Sequence, residues 1–306
     1  MTSTEANFSQ GSQVASGHEW SLGTVAIVGV GLMGGSIGLA LKANGRAKRI
    51  VGVGRNAERL HQAERLGILD ESHTDLADGL QGADLVILCT TIGNIIDQIP
   101  AVLEASAPNA VITDIGSTKA AIVRAVGGDS RFVGGHPMCG SERTGAEAAT
   151  ATLYKGATWA VTPSTSTGPR AVEAVERLIG AVGALVLRLD PDVHDVMVGL
   201  TSHLPHVMAS ALMRQAADLR AEIPTLPRMS SGSFADMTRV AASPPSIWRD
   251  VCLTNREAVL KALQGFRAEL RALEDAVAAS DAAAIEAFFA AGESAKREWP
   301  SRRNGE

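Results

Sequence analysis

The run LGTVAIVGVGLMGGSIGLAL, residues 22–41, carries no charged side chain over twenty positions and is long enough to cross a bilayer. Its glycines argue for something else. Gly23 and five more between Gly29 and Gly38 interrupt the run, and its β-branched first part, Thr24 to Val28, gives way to a part with helical periodicity. A buried strand, a tight turn and a helix account for that change of period, whereas a membrane span does not. Gly29-x-Gly31-x-x-Gly34 falls in the turn. In this context the first glycine tightens the turn, the second lets a pyrophosphate approach the backbone and the third lets the helix pack on the sheet, with helix N–H groups facing the phosphates. The predicted cofactor contacts are therefore Gly29, Gly31, Leu32, Met33 and Gly34, with Thr90 at the end of a neighbouring strand.

About 20 residues beyond the glycines, a carboxylate that holds a ribose 2′-hydroxyl would mark NAD. The strand ends instead as VGVGRN, with Gly54, Arg55 and Asn56 at that place. Nothing there repels a 2′-phosphate, and Arg55 could bind one with its planar fork, so the reading leans to NADP, with NAD as the alternative. The other role open to Arg55 is a solvated start to the next helix.

From residue 24 to about 188, short apolar β-branched runs (Val25 to Val28, Ile50 to Val53, Leu85 to Leu88, Ala110 to Thr113, Phe132 to Val133, Trp159 to Val161, Ala184 to Leu187) alternate with helix-like stretches. Such alternation predicts a doubly wound, Rossmann-like α/β domain of parallel strands covered on both faces. After Asp190-Pro191-Asp192, a cluster suited to starting a helix, strand signals stop, and an all-helical domain is expected from 190 to 300. The nucleotide domain then spans 22–189. Residues 1–21 have Glu5 and Glu19 but no Lys or Arg, which reads as a disordered polar tail rather than a secretory signal.

A net charge of -5 without a basic stripe argues against nucleic acid as a partner. Cys89, Cys139 and Cys252 are odd in number and far apart, which suits a reducing cytoplasm and neither a disulfide framework nor a zinc site.

Three further stretches carry a family resemblance: TDIGSTK (113–119), GGHPMCGSE (134–142) and SHLPH (202–206), followed by GSFADMTRVAASPPSIWRDVCLTNR (232–256). Together with the glycine turn, over about residues 22 to 275, the chain resembles the prephenate and arogenate dehydrogenases of tyrosine biosynthesis. The resemblance implies an oxidative decarboxylation in which a ring carbinol loses hydride, the ring carboxylate leaves as CO2, and the ring becomes aromatic. A neutral imidazole suits the hydroxyl proton of such a reaction. His136 is the candidate: Gly134 and Gly135 are expected to end a strand at the carboxyl edge of the sheet, and Pro137 restricts His136 to extended geometry.

Ser117 is favoured on residue type as an N-cap of the next helix, whereas the resemblance places it beside the reacting hydroxyl and His136. Lys119 either shares that site or is a solvated charge. His203 and His206 lie about 60° apart on a helix. A metal would want a third ligand beside these two, and His194 lies at a poor angle for it, with Pro205 kinking the turn between; the resemblance puts His206 near substrate and leaves His194 and His203 structural. No metal is expected. Arg239 is the candidate clamp for a substrate carboxylate, its alternative being a surface salt bridge. Many prephenate-using relatives carry a lysine at the position of Ala235, opposite a glutamate matching Glu142. Here the glutamate stands without that lysine, and an unpaired Glu142 would repel a pyruvyl carboxylate and attract the ammonium of arogenate, the alternative being that Arg143 or another cation neutralises it.

Two other functions compete. A β-hydroxyacid dehydrogenase of the 6-phosphogluconate type also opens on such a turn, but would use a lysine in the second domain, and Pro191 to Arg214 contains none. A non-catalytic NADP-sensing regulator would keep the fold without the chemistry. Alanine-rich faces at Ala209 to Ala217 and Ala258 to Ala276 allow close packing, and the resemblance implies a homodimer through the helical domain, with packing inside one chain as the alternative.

Overall fold

The uncharged run folds as strand β1 (Thr24–Val28), a turn at Gly29 to Gly31 and helix α1 (Leu32–Ala43). A computed structural model describes residues 20–140 and 143–300. The expected tail, apart from Trp20 and Ser21, and Glu142 lie outside the described residues. Gly29 takes φ +98°, open to glycine at little cost, and a Cβ on Gly34 would lie 2.3 Å from the Gly29 carbonyl oxygen. A Cβ on Gly31 would meet nothing within 4 Å, so that backbone faces open space.

β2 (Arg49–Val53), β3 (Glu71–His73), β4 (Leu85–Leu88), β5 (Val111–Asp114), β6 (Phe132–Pro137), β7 (Thr158–Thr162) and β8 (Leu185–Arg188) complete a sheet of order β3-β2-β1-β4-β5-β6-β7-β8. The chain reverses its lateral direction beside β1, and ligands of doubly wound sheets bind outside the strand ends at that switch. Helices α2 (Ala57–Arg65), α3 (Leu76–Leu80), α4 (Ile92–Ala105), α5 (Ala120–Ala125) and α6 (Pro169–Ala181) join α1 over the two faces. Alternate residues of β1 show why its strand has no polar face: Val25 and Ile27 pack under α1, α2 and α6, while Ala26 and Val28 pack under α3, α4 and α5.

Three details correct the sequence reading. β3 was not anticipated, since three half-buried polar residues carry no apolar period. β7 runs antiparallel to β6, with β8 parallel to β7, so the sheet is only mostly parallel. The described part of the β6–β7 connection holds one 3-10 turn, Ala146–Ala148, and no crossover helix, so the chain returns in the opposite direction. Finally, β6 does not end at Gly135 but continues through His136, opposite Ala160, to Pro137.

Beyond β8 the described residues form helices only. Asp190 caps α7 (Pro191–Val198) by accepting from the N–H groups of Asp192 and Val193, as its position before Pro191 suggests. A π-helical turn, Gly199–His203, leads into α8 (Leu204–Glu222). α9 (Gly232–Thr238), α10 (Pro245–Thr254), α11 (Arg256–Ala278) and α12 (Ala282–Glu298) follow. α10 docks on the sheet domain: Val251 joins the core under α4, and the Thr254 and Thr118 hydroxyls are 2.9 Å apart. By length and composition the continuous stretch Pro191–Glu222 could cross a membrane, and it exposes Val196, Met197 and Leu200.

Candidate active site

A cleft of about 870 Å³ opens over the switch point beside β1. Gly29, Gly31, Leu32, Met33, Arg55, Thr90, Ser117 and His136 all line it. Gly34 does not, because its role is the close helix–strand contact described above. Arg143 lines the cleft as well, and so do Arg59 and Thr74, which escaped the sequence reading. Arg55 precedes Asn56, which caps α2 by accepting from the Arg59 N–H at 2.9 Å, so the two exposed arginines flank the start of one helix, Arg55 just before its cap and Arg59 in its first turn. Neither has an ion-pair partner among the described residues.

His136 is 8 % exposed at the floor of this cleft. Its Nδ1 lies 2.8 Å from Nε2 of His194, whose Nδ1 lies 2.8 Å from Oδ1 of Asp195. Asp195 also accepts the backbone N–H groups of Lys119 at 2.7 Å and Ala120 at 3.0 Å. A carboxylate can only accept. His194 therefore donates through Nδ1 and accepts through Nε2, His136 donates through Nδ1, and the Nε2 lone pair of His136 is left for the cleft. Burial, aided by His194, Lys119 and His203, holds the His136 pKa well below the usual 6.5. The ring is a neutral acceptor at neutral pH.

His194 thus hydrogen-bonds the candidate imidazole itself, and the π turn lies between it and His203. At a uniform helical advance of about 100° per residue, positions 194 and 203 fall on opposite sides. The wider turn slows that advance, and both histidines are buried at 1 % exposure. Pro205 comes just after the π turn within the continuous helical stretch Pro191–Glu222, where the helix has already left the regular i to i−4 ladder that a proline would interrupt. Gly199 lies in the π turn, where a Cβ would come within 3.0 Å of Ala258 of α11.

Ser117 does not cap α5. That helix starts at Ala120, and the carboxylate of Asp195, from the other domain, takes the N-terminal N–H groups. Ser117 is left lining the cleft. Lys119 is not solvated but fully buried.

His203 accepts at Nδ1 from Asn255 at 3.2 Å, and Asn255 also donates to the Asp195 carbonyl at 2.8 Å. Burial pushes its pKa down from 6.5 to about 4, with nearby Asp195 opposing the shift. Folded His203 stays neutral where unfolded His203 takes a proton, so its stabilisation is complete above pH 6.5 and is lost as pH falls toward 4. Urea unfolding at pH 7 and pH 5 should differ by about 2 kcal/mol on this account, at about 1.4 kcal/mol per unit. His203→Gln should flatten the slope. Equal stabilities at the two pH values would contradict the burial of a neutral ring.

His206 and Arg239 come together on a half-buried patch beside the cleft. His206 stacks on Trp248 with centroids 3.8 Å apart and donates through Nδ1 to the Ser202 carbonyl at 2.8 Å. Burial lowers its pKa, and the Arg239 charge adds to that. Arg239 is exposed and does not line the cleft itself, whereas Pro244 and Ile247, next to Trp248, do. Ala235 is exposed too. Among the described residues no group of three or more His, Cys, Asp or Glu could hold a metal ion.

Comparison with known proteins agrees with this architecture. Residues 37–188 match the model of the prephenate dehydrogenase nucleotide-binding domain, and residues 190–291 that of the prephenate dehydrogenase dimerization domain. A prephenate dehydrogenase of Bacillus subtilis is 32% identical over 291 residues, covering 92% of this chain and 77% of the relative. The crystal structure of prephenate dehydrogenase from Aquifex aeolicus with hydroxyphenyl propionate and NAD+ superposes with a TM-score of 0.81 at 32% identity, over 92% of this chain and 99% of that one. Synechocystis arogenate dehydrogenase follows at a TM-score of 0.77 and 26% identity, over 90% and 100% of the two chains. Neither a 6-phosphogluconate-type enzyme nor a sensor without chemistry is favoured by these relatives.

Proposed function

The chain belongs to the prephenate dehydrogenase family, and from that premise we propose that it oxidatively decarboxylates prephenate in tyrosine biosynthesis, accepting arogenate as well. The observation that carries this reading is the Asp195–His194–His136 chain, which presents a bare imidazole nitrogen to the cleft that holds the glycine turn.

The cleft fits a dinucleotide: Gly31 leaves room for a pyrophosphate, and the α1 N-terminus points its N–H groups at it. A nicotinamide bound there would supply the hydride acceptor. His136 Nε2 accepts the proton of the ring hydroxyl as the carbinol carbon loses hydride, and Ser117 orients that hydroxyl. The ring carboxylate departs as CO2, its bonding pair enters the ring, and His136 returns the proton to the phenol oxygen. The balance neither consumes nor releases a proton. Arg239 and His206 hold the substrate's side-chain carboxylate away from the reacting carbon.

The division of labour falls at residues 189 and 190, with the cofactor on 22–189 and the dimer contacts and much of the substrate pocket on 190–300. Arg55 and Arg59 side by side favour NADP over NAD, and a reducing, cytoplasmic setting suits the three thiols. Absorbance at 340 nm with prephenate and arogenate, each against NADP+ and NAD+, tests both choices. Turnover with either substrate is expected, with NADP+ preferred. A charge-assisted contact is worth about 1.5–3 kcal/mol, so Arg55→Ala should erase a preference of roughly 10- to 100-fold. No turnover in any combination despite tight cofactor binding would restore the sensor reading, and a large preference for prephenate would remove arogenate.

The exposed apolar side of Pro191–Glu222 is read as a subunit interface rather than a membrane span. A homodimer is expected in sedimentation. A species at the chain mass of 31.8 kDa would contradict it.

A further inference from the structure

We infer that Asp114 and Lys119 are positioning residues, a buried ion pair that clamps the two peptide segments carrying His136 and Ser117. Both side chains are 0% exposed. Lys119 Nζ pairs with Asp114 Oδ2 and also donates to the Gly135 carbonyl at 2.7 Å. Asp114 Oδ1 accepts the Gly135 N–H at 3.1 Å, while Oδ2 accepts the Gly116 N–H at 2.7 Å. One ion pair thus holds both the N–H and the C=O of the residue before His136, and the N–H of the residue before Ser117.

The sheet explains why a clamp is needed there. β5 and β6 pair only at Ile112 with Phe132 and Thr113 with Val133. Past Val133 the β5 side of β6 has no strand partner, and the side chains of Asp114 and Lys119 stand in for the missing ladder. Gly135 must be glycine for this, since a Cβ would lie 2.6 Å from the Asp114 carbonyl oxygen and 2.9 Å from Trp159 Nε1. A fully buried ion pair adds little net stability over apolar side chains of similar volume, so its presence calls for another use. The catalytic imidazole begins one peptide away.

The inference rests on His136 being the proton acceptor proposed above, and the test separates the two. Lys119→Met alone leaves a buried carboxylate unpaired, so the primary variant is Asp114→Asn with Lys119→Met, which removes both charges together. It is made in the full chain, both with His136 and with His136→Asn, and its melting temperature and cofactor affinity are recorded beside kcat and KM. Misplacing His136 should lower kcat by roughly 10²-fold and leave cofactor affinity and KM within roughly threefold. With His136→Asn already present, the same pair change should cost roughly tenfold less than in the parent, because the share that acts through His136 is already lost and only the share that acts through Ser117 is left. Parental kcat in the pair variant, or an equal loss in both backgrounds, overturns the clamp. Parental turnover of His136→Asn alone overturns the site reading first, and the clamp with it.

Discussion

With asparagine at position 136, kcat is expected to fall by roughly 10²–10⁴-fold, the usual worth of a positioned proton acceptor, while cofactor affinity stays near that of the parent. The amide can hydrogen-bond a substrate hydroxyl but has no basic lone pair to accept its proton. The pH profile sharpens the test. His136 works as the neutral ring, and burial holds its pKa below 6.5, so the acid limb of kcat/KM in the parent should lie below that pH. Activity is present above the lowered pKa and is lost as pH falls through it. The asparagine variant should lack that limb. Undiminished turnover, or an unchanged limb, would show that another group takes the proton.

The next largest effect is expected at His194, which never meets the substrate in this reading. His194→Leu removes the acceptor of the His136 Nδ1 proton. The proton can then sit on Nε2, where it blocks the lone pair that faces the cleft, and Asp195 no longer steadies the positive ring that forms during transfer. A wrong tautomer in an imidazole–carboxylate relay can cost several powers of ten, and roughly 10²-fold or more is expected here. The stranded Nδ1–H and Asp195 oxygen add a stability loss of about 1–3 kcal/mol each. His194→Gln offers an amide oxygen to the same proton and should recover part of the rate. Equal losses for Leu and Gln would mean that His194 serves packing and not the tautomer.

These two residues show how unevenly the chain discloses its site. The glycine turn, the strands on either side of the switch point and the helix start at Asp190 come from neighbours in sequence, through turn chemistry and period, whereas the candidacy of His136 comes with the family resemblance, since a lone histidine after a strand is more often a hydrogen-bonded structural residue. His194 belongs to another class. Its place opposite His136 depends on a π turn that no local propensity announces, and on α7 packing against α5 across the domain boundary. Lys119 reads as a solvated charge until Asp114, five residues earlier, is seen to share its burial. Ser117 has the residue type of a cap, yet a carboxylate 75 residues or more away takes that task and frees it for the cleft. The direction of β7 goes with a connection whose described residues hold no crossover helix, and Arg59 lines the cleft from the first turn of the helix that Asn56 caps.

By itself the sequence determined the glycine turn, the strands beside it and the change to helices after Asp190, and hence a dinucleotide fold, because those outcomes depend on residues within a turn or a strand of one another, while resemblance singled out its histidine, His136. Only the tertiary structure decided which nitrogen of that histidine is bare, which charges are buried beneath it and which helix end each carboxylate serves. Proton positions and pKa values are set by groups that meet across domains, through space and through burial, and no distance along the chain encodes them.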